Sequence, residues 1–313
     1  MIYTITFNPS VDYYISLNKF SLNKINHLEE SNFSSGGKGI NISKILTKLN
    51  VDNIALGFIG GFTGKYLKND LDRMNVKNDF LELNETTRIN VKIKEKKETA
   101  IDGKAPTLEI KNIIDLITKL KNLNEDDFVI VSGSIPSSVT FEMIDKLFSY
   151  IKTKGAKFII DTSSPYLLKL LKYQPLLIKP NLEELENLIE EKINSKEELI
   201  KIANKIIKDG CNNIIVSLGS KGSIFVNKDI VIESKAIKTE VIHTIGAGDA
   251  MVAGFIYEYQ KSKDVKLAYY MASTIAILRI TKDLYKTNEI IDLYTKLKKR
   301  GNEYANMLWY WKY

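Results

Sequence analysis

The stretch DFVIVSG (Asp127–Gly133) decides the fold. An apolar run opened by an acid and closed by Ser-Gly reads as a strand with no wet face. Working outward, a helical run beginning at Glu109 precedes it and a second helix follows. KFIID (Lys157–Asp161), a short helix, PLLIKPN (Pro175–Asn181) and another helix come next. A helix over about Lys196–Lys208, then NIIVSLGS (Asn213–Ser220) and GSIFV (Gly222–Val226), continue the rhythm, and two long helices from about Asp249 and Asp264 close it. Strands alternating with helices imply an α/β fold: a three-layer α/β/α sandwich on a mainly parallel sheet covered on both faces, with right-handed crossovers.

The N-terminal third fits the same plan. YTITF (Tyr3–Phe7) and YYISL (Tyr13–Leu17) read as strands, and GINISKILTKL (Gly39–Leu49) carries Ile42, Ile45, Leu46 and Leu49 at helical spacing. IALGFIGG (Ile54–Gly61) runs from strand into turn, and GKYLKNDLDRM (Gly64–Met74) is helical. TRINVKIKE (Thr87–Glu95) and ETAID (Glu98–Asp102) form a hairpin with charge on one face. The segments near 10–35 and 86–104 are expected to build a small β-sheet with one wet face, a lid or a dimer surface. The whole of 1–313 reads as one domain, without repeats or low-complexity linkers.

Composition narrows the function. In 313 residues with 44% hydrophobic side chains there is one cysteine, Cys211, and two histidines, His27 and His243, so disulfide frameworks, cysteine-built zinc sites and Ser-His-Asp chemistry are set aside. No apolar run reaches the roughly 18 residues of a membrane span, and MIYTITFNPS lacks the basic and apolar regions of a signal peptide. A cytoplasmic protein without a membrane partner is expected. The formal net charge of +7 favours anionic partners, but the lysines are scattered, as in KIKEKKE and KLKKR, with no aromatic-studded basic stripe. Nucleic acid is therefore not expected, and the charge leaves open a phosphorylated metabolite as partner or simply a lysine-rich solvated surface.

Ligands of open α/β sheets bind beyond the carboxyl ends of the strands. Five polar punctuations fall there: NPSVD, SGSIP, DTSS, KPN and SLGSKG. SSGGKGIN opens a helix with three glycines and Lys38, which suits an anion, although it departs from the GxxxxGK[ST] pattern and no clear strand precedes it. In LLIKPNLEELENL, Asn181 and Glu184 stand one turn apart; they can face a hydrated magnesium ion or simply form a capping box, and the stretch alone favours the box. SLGSKG alone favours a plain turn. In HTIGAGDAMVAGF (His243–Phe255), Asp249 follows two glycines at a helix start. It is a helix cap, or a general base beside backbone donors, or both. Its free pKa near ~3.9 would leave it ionised at neutral pH.

GGKGIN, TRINVK, SGSIP, IKPNLEEL, SLGSKG and TIGAGDAMVAGF occur in this order over nearly the whole chain. Together they resemble the PfkB (ribokinase-like) carbohydrate kinases, and within them the 1-phosphofructokinase and tagatose-6-phosphate kinase branch. The resemblance implies a ribokinase-like sandwich with a β lid often shared in a homodimer, ATP and Mg²⁺ as nucleotide and metal, and a phosphorylated ketohexose as substrate. It implies Asp249 as catalytic base, Ala247, Gly248 and Asp249 as anion hole, and Gly246 as part of the same catalytic turn. Lys179, Asn181 and Ser217, Leu218, Gly219, Ser220, Lys221 and Gly222 are implied on the nucleotide side together with Gly248 and Asp249, and Asn181 and Glu184 toward the metal through water. Asp12, Gly37, Lys38, Asn41 and Arg88 are implied on the sugar-phosphate side. Asp102, Ala105 and Ala250 depart from the family's usual residues, and the tail NEYANMLWYWKY is unusually aromatic.

Fructose 1-phosphate 6-kinase is the expected activity. Tagatose-6-phosphate kinase is the near alternative, and a catalytically silent sugar-phosphate binding protein the more distant one, disfavoured by Asp249 with its glycines intact. A dinucleotide-dependent dehydrogenase is ranked last, because no GxGxxG follows the first strand.

Overall fold

Every residue of the strand Phe128–Ser132 is buried, as an unbroken apolar run requires. The computed structural model describes residues 1–95, 98–235, 246–282 and 286–308, with side chains described through residue 299. In chain order the first half holds β1 (Ile2–Thr6), β2 (Ser10–Ser16), β3 (Glu30–Gly36), α1 (Lys38–Lys48), β4 (Asn53–Gly60), α2 (Gly61–Arg73), β5 (Leu81–Leu83), β6 (Arg88–Lys94), β7 (Glu98–Ile101), α3 (Ile110–Lys119) and β8 (Phe128–Ser132). The second half holds α4 (Phe141–Thr153), β9 (Lys157–Asp161), α5 (Leu167–Leu170), β10 (Leu177–Ile178), α6 (Leu182–Ile189), α7 (Lys196–Lys208), β11 (Asn213–Ser217), β12 (Ser223–Asn227), β13 (Val231–Ser234), α8 (Ala247–Ser262), α9 (Val265–Thr281) and α10 (Thr287–Leu308).

Nine strands form the main sheet in the order β13-β12-β11-β10-β9-β8-β1-β4-β5. All its pairs are parallel except those of β12, which runs against both neighbours. Alternate residues of the strands feed two cores. Val129, Val131, Phe158 and Ile160 pack with α3, α4 and α7, while Phe128, Ile130 and Ile159 pack with α1, α8 and α9. The three layers expected from the strand–helix rhythm are therefore present.

The smaller sheet has the order β3-β2-β6-β7. Its two faces differ, because side chains alternate along a strand. The register places Phe33, Tyr13, Val91 and Ile101 side by side across all four strands. Tyr13 and Phe33 stack with ring centroids 4.2 Å apart. The opposite face carries Ser10, Asp12, Arg88 and Asn90.

Three sequence expectations need correction. A strand, β3, does precede GGKG; its sequence ESNFSSG is almost wholly polar and carries no period-two apolar signal. Helix α10 adds a third long closing helix, whose lysine-rich outer face hides its amphipathic pattern. The edge strands β5 and β13 were also not expected, being only three and four residues long. Ala250 is fully buried in the core of α8. His243 and the end of the aromatic tail lie outside the described residues.

Candidate active site

The carboxyl rim of the sheet gathers the site. Gly246 caps α8 with φ 90°, a left-handed conformation that glycine adopts without strain. That turn starts the helix abruptly and leaves the N–H groups of its first residues, Ala247 and Gly248, facing the cleft rather than a preceding turn. Gly248 is small for a second reason: a Cβ there would stand 3.0 Å from Nζ of Lys179. Asp249 follows, 5% exposed, and accepts a hydrogen bond from Asn41 Nδ2 at 2.8 Å.

The electrostatics of Asp249 differ from the free value expected from sequence. Burial, followed by repulsion from Asp161, pushes its pKa up to about 7, against the pull of Asn41, Lys38 and Lys179. The acid is therefore poised near neutrality, where a general base works best.

Asp161, at the carboxyl end of β9, is the main residue that sequence reasoning missed. It is 1% exposed. Its Oδ1 lies 3.2 Å from Lys179 Nζ and 3.8 Å from Lys38 Nζ, and Ser132 Oγ donates to its Oδ2 at 3.3 Å. The available signal was position alone: an acid ending a buried strand on the functional rim. Lys38 Nζ also reaches Glu184 Oε1 at 3.2 Å. Desolvation lowers the Lys38 pKa, but Asp161, Glu184 and Asp249 together override it and hold the pKa above the ordinary lysine value.

Asn181 and Glu184 do form a capping box: Glu184 N donates to Asn181 Oδ1 at 2.7 Å, and Asn181 N to Glu184 Oε2 at 2.9 Å. The box engages Oε2 of Glu184, while Oε1 turns to Lys38. Asp161 Oδ1 accepts no hydrogen bond, and among the described residues no three acidic, His or Cys side chains cluster for a metal. This donor set suits an ion that keeps several waters and is completed by phosphate oxygens, which is the habit of magnesium.

A cavity of about 240 Å³ adjoins the head of α8. Asn181, Ser217, Gly219, Gly222, Ala247 and Gly248 line it on one side, and Met251, Ala276, Ile277 and Ile280 make its apolar wall. Met251 comes from α8 and the other three from α9, which the sequence did not implicate. Of the SLGSKG residues, Leu218 packs toward the core, and Ser220 and Lys221 are exposed; none of the three lines the cavity.

On the opposite side of Asp249 lies the smaller sheet. Asp12 Oδ1 accepts from Ser10 Oγ at 2.7 Å and Asn90 Nδ2 at 3.0 Å. Arg88 is half-buried; among the described residues its terminal nitrogens reach Gly103 O and Asn8 O, each at 3.4 Å, and its buried Nε has no partner. Asp102, one of the departures, pairs with Lys92 at 3.3 Å beside Arg88. Gly37 caps α1 and presents Lys38 and Asn41 between the two halves of the cleft.

A mainly parallel sheet whose rim carries a glycine-headed helix, a buried acid at its third residue, an adjoining apolar cavity and a half-buried arginine on a smaller sheet has the architecture of a ribokinase-like phosphotransferase. The chain belongs to the pfkB family of carbohydrate kinases, which it matches over residues 5–289. It is 41% identical over 268 residues to the 1-phosphofructokinase of Borreliella burgdorferi, covering 85% of this chain and 87% of that one. It is 34% identical over 279 residues to the D-tagatose-1-phosphate kinase of Bacillus licheniformis, covering 89% and 92%. The fold is that of phosphofructokinase-2 from Escherichia coli in complex with fructose-6-phosphate, with a TM-score of 0.88 at 24% identity over 95% of this chain and 99% of that one. No helix among the described residues is long and apolar enough to cross a membrane.

Proposed function

We propose that the protein transfers the γ-phosphoryl group of ATP to the C6 hydroxyl of fructose 1-phosphate, giving fructose 1,6-bisphosphate and ADP. The observation that carries this reading is Asp249: a buried carboxyl group with its pKa pushed up to about 7, in the first turn of a helix that no described side chain caps.

In this reading Asp249 takes the proton of the sugar hydroxyl as its oxygen attacks the γ-phosphorus. The N–H groups of Ala247 and Gly248, the dipole of α8 and the ammonium of Lys179 face the charge that develops. The apolar cavity beside Met251 and Ile277 takes the nucleobase. A magnesium ion, when bound, neutralises phosphate charge. Glu184 Oε1 and Asp161 Oδ1 are the acceptors for it or its waters, and Asn181 acts chiefly by holding Glu184 in place. The sugar's own phosphate lies at the end of the molecule away from Asp249. Arg88, with a buried nitrogen unpartnered and two long contacts, is its ligand. Asp12, oriented by Ser10 and Asn90, accepts from a sugar hydroxyl. The smaller sheet serves as a lid over the sugar, and its apolar row of Phe33, Tyr13, Val91 and Ile101 is the face through which two copies pair. Phe33 and Ile101 are exposed at 45% and 56%, more than a free lid needs.

Tagatose 6-phosphate also carries a primary hydroxyl at the end away from its phosphate, on C1 instead of C6, and is the second reading, supported by the relative named for a tagatose phosphate. Rates for fructose 1-phosphate, tagatose 6-phosphate, tagatose 1-phosphate and fructose 6-phosphate with ATP decide between them. The highest kcat/KM is expected for fructose 1-phosphate; preference for a tagatose phosphate overturns the substrate assignment, and no turnover with any of them leaves a silent binding protein.

A further inference from the structure

Two carboxylates and two ammonium groups meet at the centre of the cleft, but the four are not held alike. Lys179 and Asp161 form the inner pair, with side chains 4% and 1% exposed at 3.2 Å. Lys38 and Glu184 form the outer pair, 37% and 20% exposed, also at 3.2 Å. Lys38 reaches across to Asp161 as well, at 3.8 Å. Its amine therefore lies against Glu184 Oε1 and, at longer range, against Asp161 Oδ1, which Lys179 already faces. Neither oxygen carries a hydrogen bond from any other described side chain. The capping box fixes Glu184 from its other oxygen, so the carboxylate cannot swing away to follow the lysine.

A divalent ion and an ammonium group compete for the same oxygens. The inner lysine is locked by burial. The outer one stands on the first residue of α1 with a flexible four-carbon stem and is the group able to leave. The same helix holds Asn41 against Asp249, so an amine released from Glu184 stays within reach of the reacting end of the cleft.

We propose that Lys38 is the resident counter-cation of these carboxylates, occupying the seat of the divalent ion until that ion enters and then turning toward the phosphoryl group under transfer. The second half of this inference rests on the kinase reading; the first half does not. It accounts for a site that, among the described residues, gathers two acids without a third metal-ligating side chain and leaves neither uncompensated, Asp161 facing Lys179 and Glu184 facing Lys38. It also gives Lys38 two successive duties on the two sides of the cleft.

The test is direct binding of Mn²⁺ to the nucleotide-free full chain, followed by the loss of the free-ion paramagnetic signal. Lys38→Met should bind Mn²⁺ about 10-fold more tightly than wild type, the scale of removing one partly exposed ionic competitor. Lys38→Arg, which keeps the charge, should stay within about 3-fold of wild type on the same scale. Lys38→Gln repeats the neutralisation should the methionine variant not fold, with native melting as the check. In a Glu184→Gln background the gain from neutralising Lys38 should shrink to less than about 3-fold, because the contested oxygen is gone. Unchanged or weaker Mn²⁺ binding by a folded, neutral Lys38 variant overturns the proposal, as does a gain that persists undiminished without Glu184. Failure of phosphoryl transfer with every sugar would instead strike the kinase reading and leave the Mn²⁺ titration readable.

Discussion

Replacing Asp249 by Asn should make the protein more stable and nearly inactive at once, with the stability gain dependent on pH. In the folded protein burial raises the pKa of Asp249 from 3.8 to about 7. A carboxyl group whose folded pKa is raised favours the folded state while protonated, and this advantage is lost as pH climbs from the unfolded value to the folded one. The interval corresponds to roughly 4 kcal/mol, an upper figure, lost across about pH 4 to 7 and constant above that. Asn is neutral throughout and can still accept the hydrogen bond from Asn41 through its carbonyl oxygen. The gap between Asp249→Asn and wild type should therefore widen by about 2–3 kcal/mol between pH 5 and pH 8. Urea unfolding of both proteins at the two pH values measures it. Turnover should fall about 10²–10⁴-fold, the usual cost of losing a general base. A stability gap that stays flat with pH would show that Asp249 titrates like a solvated acid. Wild-type kcat in the Asn variant would remove Asp249 as the general base; the helix itself is capped by Gly246, without a side-chain bond from Asp249.

The other predictions use the same site. Activity should rise with pH through an apparent pKa near 7, since only ionised Asp249 accepts a proton; an acid limb below about pH 5 would contradict the buried environment. Glu184→Gln keeps the capping box, so melting should hold while the Mg²⁺ concentration for half-maximal rate rises about 10-fold; superimposable Mg²⁺ titrations would confine Glu184 to capping. Arg88→Ala should cost about 1.5–3 kcal/mol, or roughly 10- to 150-fold in kcat/KM for the phosphosugar, with little change in KM for ATP; an unchanged phosphosugar KM removes Arg88 from the site. Phe33→Asp should convert a dimer to a monomer in light scattering, and a wild type already monomeric at micromolar concentration would leave the apolar row without its partner.

How far the sequence carried depends on which signals are local. The helix Lys196–Lys208 was legible in outline; the structure adds that Ser195 caps it, accepting from Glu198 N. The buried strands announce themselves as apolar runs ended by polar turns. Strand β3 does not, since its partners supply its hydrogen bonds and its outward positions are polar. The capping box and the glycine turn at Gly246 were written in spacing alone. The meeting of Lys38 with Glu184, 146 positions apart, was not, nor was the convergence of Asp161 on both lysines. Those are products of sheet order, which places the ends of β9 and β10 beside the head of α1. The raised pKa of Asp249 likewise depends on burial, which no residue type reveals. Leu218 shows the opposite hazard: it sits inside a motif, yet its side chain packs into the core beneath the turn.

The central claim is phosphoryl transfer by Asp249 to the hydroxyl farthest from the sugar's own phosphate. Incubating wild type and Asp249→Asn with ATP and fructose 1-phosphate, and locating the new phosphate by its phosphorus–proton coupling, tests it most directly. Wild type should place the phosphate on C6, with the Asn variant slower by at least about 10²-fold. A phosphate on any other oxygen, or equal product from both proteins, would contradict the account.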